Sequence, residues 1–192
     1  MAEFVEQYAL VRWPVVAAFV LASGIVATRL ARRVPQAQRA DTASDSAHLL
    51  MCLAMLAMLV FPAGTDPHAM RGVLTALTVT FALLLVERCV RRRSGAPDHG
   101  VQALGYHTVA AAAMLYAMAA HGATHGETGW PALGLAVLFA LDALLVLATL
   151  GRRSRWHHAV HPVGSHPLTS ALVPHVVMDI GTAFMLIAAF AR

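Results

Sequence analysis

The chain has no lysine, only 12% charged residues and two cysteines. Each scarcity excludes something. So little charge beside 58% hydrophobic residues rules out an ordinary soluble domain. Two cysteines cannot build a disulfide framework. Cys52 falls inside one apolar stretch and Cys89 at the end of the next, so both read as free thiols. Also missing are a phosphate-binding glycine loop, a nucleophile elbow, a His-Glu-x-x-His pair and a Cys-x-x-Cys pair. Hydrolysis and phosphoryl transfer therefore have no support, and the enzyme question stays open with non-enzyme the better reading. No short solenoid repeat is visible.

What is present is apolar length. Crossing a hydrocarbon core of ~30 Å takes about 20 helical residues. Six stretches qualify, near 13–31, 46–64, 70–90, 103–121, 131–150 and 169–190. The expected fold is all-α, a single bundle of six transmembrane helices over 1–192. No soluble domain is left over, the nearest being the loop from Arg152 to Pro167. The first stretch reads as a membrane helix rather than a signal peptide. Glu3, Glu6 and Arg12 precede it while Arg29, Arg32 and Arg33 follow, and a signal peptide carries its positive charge in front.

The arginines set the orientation. Eleven of the 14 follow odd-numbered spans: Arg29, Arg32, Arg33, Arg39, then Arg88, Arg91, Arg92, Arg93, then Arg152, Arg153, Arg155. The other side holds Arg12, Arg71 and Arg192. The positive-inside rule puts the three Arg-rich loops in the cytoplasm and both termini outside a plasma (inner) membrane. The high pI of about 9.8 follows from these clusters. They sit at span ends, where topology and anionic headgroups account for them, so nucleic acid is not an expected partner.

The pattern recurs at roughly 60–70 residues: a helix inward, an Arg-bearing loop, a helix outward with His and Met. Odd helices end alike, in Thr28-Arg29-Leu30-Ala31-Arg32-Arg33, Glu87-Arg88-Cys89-Val90-Arg91-Arg92-Arg93 and Leu150-Gly151-Arg152-Arg153. Trp13-Pro14 and Trp130-Pro131 open the first and fifth helices, Trp suiting the headgroup interface and Pro a helix start. Three hairpins of one design result. The inner segment Ala31–Ser46 reads as a polar loop, with Ser44 or Ser46 capping the second helix.

Three even-numbered spans open with a histidine and continue with methionines: His48, Met51, Met55 and Met58; His107, Met114 and Met118; His175, Met178 and Met185. At ~100° per residue the first set falls within an arc of about 80° and spans about 15 Å. The others keep to one face by the same count. All three histidines lie at matched depth near the cytoplasmic end. Thioether sulfur is soft and selects Cu(I) over Mg, Ca or Zn, and imidazole binds copper too. Cys52, four residues after His48, adds a possible thiolate. Two of the same histidines suit a haem b instead. The plain alternative is packing, since Met fills irregular cores and a His near a helix end can bond to a neighbouring helix.

The phrases His48-Leu-Leu-Met51-Cys-Leu-Ala-Met55-Leu-Ala-Met58 and His175-Val-Val-Met178-Asp-Ile-Gly-Thr-Ala-Phe-Met185 resemble an actinobacterial family of small multi-pass membrane proteins of unknown function, with His-x2-Met openings on alternate helices. The resemblance covers most of the chain and implies no established activity. The chain departs from the pattern at Ala110, where a Met would follow His107, and at Thr182.

Asp142 lies within the fifth span and Asp179 four residues after His175. Intramembrane carboxylates face the bundle and find partners, so these are candidate charge or proton partners. Glu87 beside Arg88 reads as an interfacial ion pair. Outside, Asp66, His68 and Met70 flank one loop and His121, His125 and Glu127 another, with His68, His121 and His125 a possible outer metal site. Inside, His157, His158, His161 and His166 crowd one loop without a closed zinc spacing. Three function classes stand: a Cu(I)-handling membrane protein, a haem-b redox protein, and a membrane scaffold in which Met merely packs. Expected partners are the lipid bilayer, a metal ion, and other membrane subunits or further copies of the chain.

Overall fold

A computed structural model describes residues 9–31, 39–61, 66–94, 101–120, 129–148 and 168–190. They form six helices: α1 Ala9–Ala31, α2 Arg39–Val60, α3 Pro67–Arg93, α4 Val101–Ala120, α5 Gly129–Ala148 and α6 Leu168–Phe190. There is no strand among the described residues. Four helices, α1, α3, α5 and α6, are long and apolar enough to cross a membrane, and α2 carries a shorter apolar stretch, Ser44–Val60.

Three boundaries differ from expectation. The polar segment before the second span is helical from Arg39, so Ser44 and Ser46 lie inside α2 and cap nothing. The cause is tertiary. Asp45 is buried and ion-paired with Arg29 of α1 at 2.9 Å, which fixes the segment against its hairpin partner. At the other end α2 stops at Val60 rather than 64, because Pro62 biases Phe61 away from helix. Trp13-Pro14 does not open α1, which is already helical at Ala9, whereas Trp130-Pro131 does open α5. Asp66 caps α3, its carboxylate accepting from the His68 amide at 3.0 Å, with Pro67 in the first turn.

Helices pack as the hairpins α1/α2, α3/α4 and α5/α6. The three even helices also touch one another, in all three pairings, and form the inner layer. The odd helices are outer. Large apolar side chains stay exposed along them: Val20 and Leu21 on α1, Val79, Leu83 and Val86 on α3, Leu138, Leu141, Leu144 and Leu145 on α5. Water does not tolerate a belt of that size on a monomer. The apolar helices point to a multi-pass membrane protein.

Two arginines tie the hairpins at the end opposite the Arg clusters. Arg12 donates through Nε to the Leu59 carbonyl at 2.7 Å and through Nη2 to the Val60 carbonyl at 2.9 Å. Arg71 donates to the Met118 carbonyl at 2.9 Å. Both satisfy carbonyls that a helix end leaves without a partner. The Arg12–Leu59 and Arg71–Met118 bonds have the same sequence separation of 47. His48 and His107, and Met55 and Met114, fall at the same offsets within their hairpins. The first two hairpins are thus built in one register.

Gly181 marks the tightest approach between layers. A Cβ there would sit 2.6 Å from Phe19 Cε2, closer still to its Cζ, and 2.9 Å from Met55 Cε. Only glycine lets α6 lie this close to α1 and α2.

Candidate functional site

The seven methionines of the even helices are all buried. Met51, Met55 and Met58 come from α2, Met114 and Met118 from α4, Met178 and Met185 from α6, and all belong to one apolar cluster. Cys52 is buried beside them, and neither it nor the half-buried Cys89 is in a disulfide. The α2 sequence explains the arrangement. Its apolar stripe faces the other even helices, while Leu50 and Leu53 turn outward and stay exposed.

His48, His107 and His175 are buried too. The rings of His48 and His107 meet edge to face, with centroids 4.2 Å apart. Ser44 holds both, its carbonyl 3.1 Å from His48 Nδ1 and its hydroxyl 3.4 Å from His107 Nε2. The helical extension of α2 is what brings Ser44 there. His107 Nδ1 is buried and has no hydrogen-bond partner among the described residues.

His175 belongs to a second group. Its Nε2 is 2.9 Å from Asp142 Oδ2 and 3.2 Å from Asp179 Oδ2. Asp142 reaches it from α5 and Asp179 from one turn further along α6. The Tyr106 hydroxyl donates to Asp179 Oδ1. Tyr106 bridges the groups, its ring centroid 5.7 Å from that of His107 and 4.6 Å from that of His175. Pro174 precedes His175 directly and removes one helical hydrogen bond there. The three imidazoles therefore sit in one polar band, divided into a His48–His107 pair and an Asp142–His175–Asp179 cluster.

Sequence reasoning named all three histidines and both aspartates. It missed Tyr106 and Ser44. Tyr106 adjoins His107 in the chain, and a phenol at that depth was the available signal. Nothing local marked Ser44 except its place one turn before His48. Glu87 pairs with Arg91 at 2.6 Å, one turn along the exposed face of α3. Of the outer candidates, His68 is exposed while Met70 is buried, and Asp66 is used as a cap. His121, His125, Glu127 and the loop histidines 157, 158, 161 and 166 lie outside the described residues.

Residues 40–189 match a family described as a domain of unknown function, DUF5134. The chain belongs to the DUF5134 family. The match takes in all of α3 to α5, nearly all of α2 and α6, and every residue of the polar band. It begins after α1, so the Phe19 and Arg29 contacts lie outside the matched DUF5134 region. No curated protein and no solved structure matches the chain.

Proposed function

We propose that this DUF5134 protein resides in the plasma (inner) membrane and binds or passes Cu(I) through the interior of its even helices. His48 and His107 anchor the cytoplasmic end, and Met51, Met55, Met58, Met114, Met118, Met178 and Met185 form the sulfur path. Both termini lie outside and the Arg-rich loops in the cytoplasm, as the arginine bias argues. One observation carries the reading: soft donors from three helices are buried where those helices meet, and none of these is exposed. Packing alone accounts for the sulfurs but not for His107. A buried nitrogen without a partner costs about 1–3 kcal/mol, a cost that metal ligation removes.

Haem b is the weaker alternative. A haem ligated from both faces holds its imidazoles on opposite sides of a macrocycle, whereas the His48 and His107 rings are in edge contact. A scaffold or subunit role is the remaining reading and needs no ligand.

The test is the triple variant Met51→Leu, Met55→Leu, Met58→Leu, purified in mild detergent beside the wild type. Met-to-Leu swaps keep volume and cost under about 1.5 kcal/mol each. Competition against a chromogenic Cu(I) chelator should show stoichiometric binding in the wild type and loss in the variant. Equal Cu(I) binding by the two proteins removes the sulfur path from the account. An absorption spectrum of the same sample after haem reconstitution reads the redox alternative.

A further inference from the structure

The third hairpin carries different donors from the first two. One turn after its histidine, α2 has Cys52, α4 has Ala111 and α6 has Asp179. Two turns after, the residues are Met55, Met114 and Thr182. All six are buried. Where the first hairpin presents sulfur, the third presents oxygen, and Asp142 of α5 adds a second carboxylate.

The geometry points to a site for one borderline divalent transition ion, of the Zn(II), Fe(II) or Co(II) kind, held by Asp142, His175 and Asp179. It is separate from the soft column and does not depend on that column carrying copper. Three observations support it. First, one donor atom from each residue lies within 4.8 Å of the other two. Donors about 2.1 Å from a common ion stand roughly 3.0–3.4 Å apart, close to the 2.9 and 3.2 Å between His175 Nε2 and the two carboxylates. Second, the charge is unbalanced. Two carboxylates face one imidazole, and among the described residues neither carboxylate meets an arginine. Two anionic carboxylates, a neutral imidazole and a divalent cation sum to zero, the cheapest state for an enclosed apolar site. Third, polar groups remain to be satisfied. Asp179 Oδ2 and Thr182 Oγ1, on the same stripe of α6, are fully buried and make no hydrogen bond among the described residues.

Tyr106 fits the same site from outside. Its hydroxyl holds the other oxygen of Asp179 and so fixes the carboxylate's orientation, as outer groups do around ligating carboxylates. Mixed imidazole and carboxylate donors suit borderline ions, while Cu(I) takes the thioethers.

The experiment uses the full chain in detergent, stripped of metal and titrated with Co(II), followed by Zn(II) displacement. The wild type should bind one Co(II) with visible d–d bands, bleached by Zn(II). Asp142→Asn should abolish the bands, and Asp142 is half-buried, so the change leaves the interior closed. Tyr106→Phe should keep them but weaken affinity about 10- to 100-fold. The Met51→Leu, Met55→Leu, Met58→Leu protein should bind Co(II) as the wild type does, whatever becomes of its Cu(I). Loop histidines are common to all the proteins, so the difference between wild type and Asp142→Asn reads the cluster. Size-exclusion elution confirms that each variant is folded, and Asp179→Asn serves in place of any that is not. Equal Co(II) binding by wild type and Asp142→Asn overturns the proposal, as does a wild type without d–d bands. The second result leaves the cluster as a proton-bearing group.

Discussion

Gly181→Ala is the sharpest test of the packing that holds both donor groups in place. The added methyl carbon falls 2.6 Å from Phe19 Cε2 and 2.9 Å from Met55 Cε. Carbon atoms in good contact stand about 3.5–4.0 Å apart, so the Phe19 ring must retreat by about 1 Å or more. Met55 can swing its terminal methyl aside at little cost. Phe19 cannot, because it is wholly buried between α1 and its neighbours. Overpacking of this kind costs about 1–3 kcal/mol, and the rigid ring puts the expected value in the upper half. In a chain of this length that lowers the unfolding midpoint by about 4–12 °C. Cys52 supplies the assay. It is buried, so a thiol-reactive fluorophore reports its exposure on heating, in a Cys89→Ser background that removes the half-buried thiol. The companion variant Phe19→Leu destabilises alone by opening a void. In the Gly181→Ala background it should restore stability, a coupling of about 1–3 kcal/mol with reversed sign. An unchanged or raised midpoint for Gly181→Ala would refute the close approach of α6 to α1.

Arg12→Gln and Arg71→Gln should each destabilise by about 1–3 kcal/mol, since each removes a charged donor from carbonyls at a helix end. Thermal unfolding in the same thiol assay checks this, and equal stability for both variants would deny the shared capping. For orientation, single cysteines placed at Ser94 and Ser154 in a Cys52→Ala, Cys89→Ser background should react with an impermeant maleimide only from the cytoplasmic side. A cysteine at Thr65 should react only from the outside, and the reverse pattern would invert the topology.

Much of the fold was legible because a bundle of long apolar helices leaves two simple signals in its sequence. Apolar length located all six helices, and the alternation of Arg-rich and Arg-poor connections paired them into hairpins. What the sequence obscured was long-range. The Arg39–Ser46 stretch is polar and carries two carboxylates, so periodicity read it as loop, yet Arg29 holds Asp45 from another helix and makes it α2. The candidate site divides the same way. Spacing put His48 and the methionines on one face, a local property of an isolated helix. It could not place His175 beside Asp142, which depends on how α5 lies against α6. Nor could it show Tyr106 standing between two histidines of different helices.

The internal repeat clarifies why two donor chemistries occur in one small bundle. The first two hairpins share a register down to the arginine that ties their ends, and in both the buried residues one and two turns after the histidine, Cys52 and Met55 or Ala111 and Met114, are apolar or sulfur-bearing. Such a column stays neutral and costs little to enclose. The third hairpin opens with Trp130-Pro131 and has Gly129 before them, where Arg12 precedes Trp13 in the first. It has no arginine at that position and carries Asp142 and Asp179 in the interior of its two helices. Two carboxylates there are a liability unless something positive meets them. His175 bonds to Asp142 and approaches Asp179 at 3.2 Å without a hydrogen bond, and Tyr106 donates to the other oxygen of Asp179. A single proton on the imidazole balances only one of two ionised carboxylates. The third hairpin therefore stores an unmet demand for positive charge at the depth where the first two place His48 and His107. An ion or a second proton must supply it, and the Co(II) titration decides between them.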